Sequence, residues 1–476
     1  MQRFAELDHR YVWHPFTQMR DWLQHEPIVI SGGKGAILRD TRGREYLDAN
    51  ASIWTNLHGH NHPKLNAAIR KQLGMIAHSS ALGLANEPAS LLGQQLVRAA
   101  NPPSARAKSD GKPFLNKVFF SDNGSTAMEV ALKLAYEFAR RTGRSDRPRF
   151  LSLKGAYHGD TIGAVSLGHN ELFHKSYRGL LFKTDEVMAP YCYRCRFNRA
   201  RPERADAREY RKCRWECLDQ VSQRFERKKT KPYAGFVFEP LMQGAAGMIA
   251  QPKSWLSQAC RIARSHGALL IADEVMTGFG RTGMHSAHGD GQRLFATQAE
   301  EVVPDFLALA KGLTGGYLPM AATLTTQRVF DAFLGEYREF KTFFHGHSFT
   351  GNQIGAASAL ASLQILQTSG SQRARKRLER ILRDELQTLW TLPSVGDIRQ
   401  VGLVAGIELV RNWQTRAAFD LEERVGIRVC EKMAERGVLT RPIGDVLVLM
   451  PPYCATKNQI TRMVGVMREA INEIQR

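Results

Sequence analysis

Polar residues close three apolar runs in this chain, and they set the terms of its chemistry. Asp273 and Glu274 follow A-L-L-I-A, Lys311 follows F-L-A-L-A, and Glu239 follows G-F-V-F. In an open parallel sheet a ligand lies beyond the carboxyl ends of the strands, so residues placed there are the ones that meet it. A lysine between a buried strand and the flexible turn G-L-T-G-G is partly desolvated. Desolvation lowers its pKa and favours the neutral amine that attacks a carbonyl. Taken singly, Lys311 also reads as a side chain snorkelling from a strand end, and Asp273 as a helix or turn cap. Together they suit a pyridoxal phosphate site. There the lysine forms a Schiff base and the carboxylate keeps the pyridine nitrogen protonated, so the ring acts as an electron sink.

Such a site needs a seat for a phosphate and a partner for a planar ring. S-D-N-G-S-T-A-M-E follows the apolar run Val118–Phe120 and opens a segment with Ala127, Val130, Ala131, Leu134, Ala135 and Phe138 on one helical face. Gly124 allows close approach to the backbone, while Ser125 and Thr126 offer hydroxyls and N–H groups at the positive end of the helix. Thr126 and Glu129 also have the spacing of a capping box, which is the ordinary reading of the same residues. In Y-H-G-D, Tyr157 stands just beyond the run Phe150–Leu153, where its ring can stack on a planar cofactor.

The elements that must position these residues are legible as short, unalternating apolar runs separated by helix-period segments. Strands are predicted at Val118–Phe120, Phe150–Leu153, Gly235–Phe238, Ala268–Ala272, Phe306–Ala310 and Ala321–Leu324. This is the pattern of an α/β fold with a mostly parallel central sheet covered on both faces. Beyond residue 341 the pattern changes to helices near 352–368, 374–390, 420–436 and 456–475 around strand signals at Leu403–Leu409 and Val446–Leu449. The expected organisation is a large α/β domain over 81–340, with a smaller α+β domain built from 1–80 and 341–476. Residues 101–113, rich in Pro, Ser and Lys, read as a surface loop. Residues 190–232, rich in Arg and holding four of the seven cysteines, read as an insertion between sheet strands.

Composition excludes several classes. With 476 residues, 43% hydrophobic and 24% charged, the chain is neither collagen, coiled coil nor a mostly disordered protein. No secretory leader and no apolar run of membrane-spanning length is visible. Sparse, odd-numbered cysteines argue against a disulfide framework and fit a cytoplasmic location. The formal charge of +20 raises nucleic acid as a partner. The arginine-dense 190–232 segment, however, lacks recognition-motif architecture and a stacking platform. The charge is therefore read as a solvated face, and neither nucleic acid nor a membrane is expected as a partner.

These residues carry a family resemblance. L-L-I-A-D-E-V-M-T-G-F-G-R-T-G, followed by Lys311 in L-A-L-A-K-G-L-T-G-G, resembles the signature of the class III pyridoxal-phosphate aminotransferases. Within the class the chain is most similar to the biotin-pathway branch that aminates 8-amino-7-oxononanoate to 7,8-diaminononanoate. The likeness rests on W-H-P-F-T-Q-M, H-G-H-N-H-P, Y-H-G-D-T-I-G-A-V-S, E-P-L-M-Q-G-A-A-G-M, F-F-H-G-H-S-F-T-G-N and L-T-R-P-I-G-D, which span essentially the whole chain. It implies the fold-type I architecture, pyridoxal 5'-phosphate as cofactor and a homodimer with shared active sites. Lys311 would be the Schiff-base lysine and proton shuttle, Asp273 the partner of the pyridinium, and Tyr157 the stacking ring. Gly124 and Ser125 would hold the phosphate, with His347 and Ser348 reaching the phosphate of the neighbouring subunit. Trp54 and Gly346 would line the substrate pocket, and Arg441 would clamp the carboxylate of the acceptor.

Two positions depart from the branch whose amino donor is S-adenosylmethionine. Phe16 stands where that branch has Tyr, and Ile53-Trp54 where it has Trp-Trp. Both remove polar or aromatic surface from the donor pocket, and Phe16 also occurs in a related branch that uses lysine. S-adenosylmethionine is the expected donor and lysine the alternative. A general ω-amino-acid or diamine transaminase, or a class III decarboxylase or aminomutase, would share the cofactor residues. Cys192, Cys195, Cys213 and Cys217 have a spacing compatible with tetrahedral zinc. Relatives with a similar C-Y-R-C stretch are not described as metal proteins, so free thiols and no metal are expected.

Overall fold

A computed structural model of the chain describes residues 2–101, 114–227, 232–283 and 293–474. Near the N-terminus, β1 (Ile30–Lys34), β2 (Ile37–Asp40) and β3 (Glu45–Asp48) form an antiparallel meander. The main sheet then begins with β4 (Leu115–Ser121), β5 (Arg149–Leu153), β6 (Asp185–Val187) and β7 (Tyr233–Phe238). After a short hairpin, β8 (Met242–Gln243) with β9 (Ile249–Ala250), it is completed by β10 (Leu269–Asp273), β11 (Phe306–Leu309) and β12 (Ala321–Thr326). Its order is β4-β12-β11-β10-β7-β5-β6.

All six predicted strands of this sheet are present. The pairings among β6, β5, β7, β10 and β11 are parallel, whereas β12 is antiparallel to both its neighbours. Six of the seven strands therefore end at the same edge. β12 reverses because the link from β11 is short and holds only the 3-10 turn Lys311–Thr314, with no crossover helix to return the chain for a parallel strand. Alternate residues feed two cores: Leu269 and Ile271 face the helix Gly124–Arg141, while Leu270 and Ala272 join the larger cluster on the opposite face. The predicted helical stripe Ala127, Val130, Ala131, Leu134, Ala135 and Phe138 is buried.

The chain ends meet. β13 (Val395–Val401), β14 (Val404–Leu409), β16 (Pro442–Ile443) and β17 (Val446–Leu449) form an antiparallel sheet, and β15 (Val438–Leu439) instead joins the N-terminal meander, parallel to β3. The helices expected in this half appear as Gln353–Leu366, Ser369–Gln387, Val425–Glu435 and Lys457–Ile474. β13 escaped sequence reading because V-G-D-I-R-Q-V looks polar, yet Asp397 and Arg399 are both 2% exposed and pair at 2.8 Å. A strand with internally compensated charge loses the apolar pattern by which strands are recognised.

Residues 190–232 fall between β6 and β7, and only part of this stretch is a solvated face. Arg194 pairs with Glu408 at 2.7 Å, Arg204 donates to the carbonyls of Trp390 and Val395, each at 2.6 Å, and Arg208 pairs with Asp206 and donates to the carbonyl of Gln400. These arginines, of which Arg194 stays exposed, fasten the insertion to β13 and β14, whereas Arg196, Arg199, Arg201 and Arg214 are exposed without such contacts to those strands. Residues 228–231 of the insertion, and the predicted 101–113 loop beyond Asn101, lie outside the described residues. All seven cysteines are unpaired thiols, and among the described residues no group of three or more His, Cys, Asp or Glu is arranged to hold a metal. No helix among them is long and apolar enough to cross a membrane.

Candidate active site

The common edge of the six aligned strands brings Asp273 and Lys311 together. β10 ends on Asp273, which lies beside Ala308 of β11 in register, and β11 leads directly into Lys311. Lys311 has φ 46°, an unusual left-handed conformation for a residue with a side chain and of the kind that clusters at functional sites. Burial pulls its amine down to about 8, while Asp273 and Glu239 act in the opposite direction. The amine lies 4.6 Å from the centre of the Trp54 ring.

Asp273 is held by a residue that sequence reading passed over. His158, 3% exposed, bonds through Nδ1 to Asp273 Oδ2 at 2.8 Å, and the Val275 N–H donates to Oδ1 at 3.1 Å. An ionised carboxylate only accepts, so His158 carries its proton on Nδ1. His158 Nε2 is buried and has no partner. The signal was present in Y-H-G-D, but the meaning of its histidine depends on a carboxylate 115 residues away. Glu239, noted only as a strand-end carboxylate, accepts from the Tyr157 N–H at 3.2 Å and the Gly244 N–H at 2.8 Å. Burial pushes its carboxyl up to about 7.

Tyr157 donates to Asp160 Oδ2 at 2.7 Å, and the Asp160 N–H donates to Ser125 Oγ at 3.1 Å, so the ring and the helix start are one unit. That start is capped by Asn123 and Thr126, which exchange side-chain and backbone hydrogen bonds, and not by Thr126 with Glu129. Glu129 instead accepts from the Gly163 N–H at 2.8 Å. The N–H groups of Gly124 and Ser125 have no acceptor among the described residues. A Cβ on Gly124 would lie 2.8 Å from Val275 Cγ1, and one on Gly159 would lie 2.0 Å from Ser125 Oγ. Glycine at these two positions lets the 157–160 loop and the segment after Asp273 close against the helix N-terminus. Free amides at the positive end of a helix suit a phosphate. With the orphaned His158 Nε2, the exposed carboxyl edge of the sheet and the Tyr157 ring, the residues fit a flat, phosphate-bearing cofactor.

The walls come from distant parts of the chain. Phe16, 58% exposed and with φ 50°, meets Phe173 at 5.3 Å and Tyr157 at 6.4 Å, both edge to face. Ile53 is exposed. Trp54 packs on the cluster of Met242, Met248, Met276 and Met450, which Ile443 also joins, and its Nε1 is buried without a partner. Arg441, two residues before Ile443, is exposed and makes no ion pair or hydrogen bond among the described residues. Within one chain, His347 lies 3.3 Å from Asp122, just before the helix start, and the Ser348 carbonyl accepts from His78. Gly346 and Ser348 are exposed, and nothing lies within 4 Å of a Cβ built on Gly346. A single chain therefore does not bring Gly346 or the Ser348 hydroxyl into the Lys311 cluster.

The aligned strand ends, the strand-end lysine facing a carboxylate and the helix-start seat define a class, and comparison with known proteins agrees. The chain belongs to the class III aminotransferases, whose family model matches residues 19–471. Over 473 residues it is 45% identical to the adenosylmethionine-8-amino-7-oxononanoate aminotransferase of Geobacter sulfurreducens, covering 99% of this chain and 98% of that one. Its fold is similar to the crystal structure of the like-named enzyme from Methanocaldococcus jannaschii, with a TM-score of 0.88 at 36% identity over 99% of both chains. It is also similar to the omega transaminase of Pseudomonas jessenii in complex with PMP, with a TM-score of 0.86 at 26% identity over 99% of this chain and 98% of that one. The fold is thus that of the fold-type I α/β transaminases, and the cofactor of this class is pyridoxal 5'-phosphate.

Proposed function

We propose that the chain transfers an amino group to the ketone of 8-amino-7-oxononanoate, giving 7,8-diaminononanoate for biotin synthesis, with S-adenosylmethionine as donor. The observation that carries this reading is likeness to enzymes of that name along the full length of both chains. Bound pyridoxal phosphate supplies the electrophilic carbon and the electron sink of the transfer. The chain's own residues do the rest. The N–H groups of Gly124 and Ser125 would hold the phosphate, and Tyr157 would cover one face of the ring. Asp273, steadied by His158, would keep a proton on the ring nitrogen. Lys311 Nζ, whose amine burial draws down to about 8, would carry the proton between the two carbons of the transfer. Phe16, Ile53 and Trp54 exclude water on the substrate side, and Arg441, whose guanidinium is uncommitted, receives the acceptor's carboxylate.

Lysine is the second reading for the donor, favoured by the all-apolar contact of Phe16 with Phe173 and Tyr157. Half-reactions separate the two: each amine is added to the holoenzyme, bleaching of the cofactor's visible band is followed, and 8-amino-7-oxononanoate is then supplied with mass detection of the diamine. Bleaching by S-adenosylmethionine followed by diamine formation is expected. Bleaching by lysine alone transfers the assignment to lysine, and no diamine with either donor overturns the function.

We further read the chain as a cytoplasmic homodimer with a small-domain/large-domain division at 1–80, 81–340 and 341–476. Exposed Trp13, Leu82, Phe344 and Phe349 support a partner copy, as does a groove of about 570 Å³ bounded by Leu84, Val97, Phe120 and Gly351. His347, Ser348 and Gly346 would then complete the partner's site. Seven free thiols fit a reducing compartment. Small molecules and this second copy, and not nucleic acid, are the proposed partners, because the arginine-dense insertion offers no stacking platform and Arg194, Arg204 and Arg208 are bonded within the chain.

A further inference from the structure

The segment that presents Trp54 is folded against the preference of its own residues. Ala51, Ser52, Ile53 and Trp54 have φ values of 45°, 48°, 60° and 68°, so four consecutive residues with side chains follow a left-handed turn. The turn is closed by the Trp54 N–H on the Asn50 carbonyl and the Thr55 N–H on the Ala51 carbonyl, each at 2.9 Å. Every one of these residues is sterically disfavoured there, because Cβ crowds the following carbonyl. Some other contact must hold the turn.

Asp48, the last residue of β3 and 3% exposed, supplies it. Its Oδ1 accepts from the Ser52 N–H at 3.0 Å, and its Oδ2 accepts from the Ser52 hydroxyl and from His60 Nε2, both at 2.9 Å. His60 is itself oriented: its Nδ1 faces the Asn56 side-chain amide at 3.0 Å, while Asn56 Oδ1 accepts from the Gly59 N–H at 2.8 Å. The donors and acceptors match throughout, with Nε2–H of His60 pointing at the carboxylate. At the end of the turn the indole lies over Lys311 Nζ and against Gly244, where an added Cβ would stand 3.2 Å from Trp54 Cζ3. Asp48 also lies beside Leu439 in the β3–β15 register, two residues before Arg441.

We propose that Asp48, acting through Ser52 and His60, is a positioning residue that holds the left-handed turn and so lays the Trp54 indole over the Lys311 amine. The clamp sets the space in which an incoming amine meets Lys311. It touches no reacting atom. The inference rests on the proposed role of Lys311, but it concerns geometry that exists without cofactor.

The test uses two readouts on wild type, Asp48→Asn, Ser52→Ala and Trp54→Ala. In cofactor-free protein, reductive methylation of Lys311 by formaldehyde and cyanoborohydride is timed by peptide mass. Trp54→Ala, Asp48→Asn and Ser52→Ala are expected to react at least about fivefold faster than wild type as the indole leaves the amine. In holoenzyme, Asp48→Asn is expected to raise the donor KM about tenfold with kcat within about threefold, a split that general loss of stability does not produce. Adding Ser52→Gly to Asp48→Asn should restore much of the KM, because glycine takes the left-handed φ without a clamp. If Asp48→Asn fails to fold, Ser52→Ala carries the test. Unchanged methylation rates in the variants that fold, or a Trp54→Ala rate equal to wild type, overturn the proposal. Faster methylation without any diamine formation leaves the clamp standing and removes the functional reading instead.

Discussion

Replacing Lys311 with methionine should make the cofactor-free protein more stable while abolishing amino transfer. An ordinary lysine titrates at 10.5, and burial brings Lys311 down to about 8. At about 1.4 kcal/mol per pH unit, keeping this amine protonated in the folded chain costs roughly 3 kcal/mol. Its contact with the Trp54 ring at 4.6 Å offsets about 1 kcal/mol, so methionine should gain ~2 kcal/mol at pH 7. Below pH 8 both folded and unfolded lysines are protonated and the difference is constant. Between about 8 and 10.5 the unfolded chain binds more protons than the folded one, so wild-type stability rises relative to the variant. Above 10.5 the gap closes. Urea unfolding of both proteins, stripped of cofactor, at intervals from pH 7 to 10.5 measures this directly; other titrating groups cancel in the difference. A variant no more stable than wild type at pH 7, or a gap that ignores pH, would refute the claim that Lys311 is held in a desolvating site.

Gly159→Ala should raise the Kd for pyridoxal phosphate at least ~100-fold, because its Cβ would lie 2.0 Å from Ser125 Oγ and 2.8 Å from Ser125 Cα at φ 121°. An unchanged Kd in a fluorescence titration would show that the 157–160 loop does not seat the helix start. His158→Leu leaves the buried Asp273 carboxylate short of a donor, a loss of about 1–3 kcal/mol. It should lower kcat ~10- to 100-fold with cofactor still bound, and wild-type turnover would remove His158 from the site. Arg399→Met strands Asp397, which it meets at 2.8 Å, and leaves Glu408 with only Arg194 as cationic partner, and should cost about 3–5 kcal/mol in chemical denaturation. Stability within about 1 kcal/mol of wild type would show that the buried Asp397 carboxylate does not depend on Arg399.

Much of the architecture was legible because it is written locally. β5, β7, β10 and β11 are buried on both faces and read as short, mostly apolar runs without alternation, and the helix Gly124–Arg141 shows its buried stripe at helical spacing. What escaped was polar or short. β6 is three residues, D-E-V, and β13 hides a charge pair. The capping box was shifted by three residues, because Asn123 and Thr126 satisfy each other where spacing alone favoured Thr126 with Glu129. Arginine content made the insertion look solvated, yet which guanidinium finds a carbonyl or carboxylate depends on β13 and β14, some 200 residues downstream.

By itself the sequence determined the chemical inventory: a strand-end lysine, a strand-end carboxylate, a glycine-bearing helix start and the motifs of one aminotransferase class. These are properties of residue type and short spacing, which survive any rearrangement of the elements. Only the tertiary structure decided that His158 steadies Asp273, that Glu239 ties Tyr157 to Gly244, and that Trp54 rather than Ile53 covers the lysine. Each depends on strand order and register. β3 and β15 pair in parallel, with Asp48 beside Leu439, so the turn bearing Trp54 and the segment bearing Arg441 leave neighbouring strand ends although 387 positions separate the two residues. A left-handed turn of four residues with side chains is disfavoured by every local rule. It exists because a buried carboxylate delivered by the sheet outweighs those preferences, and such non-local contacts leave no periodic trace along the chain.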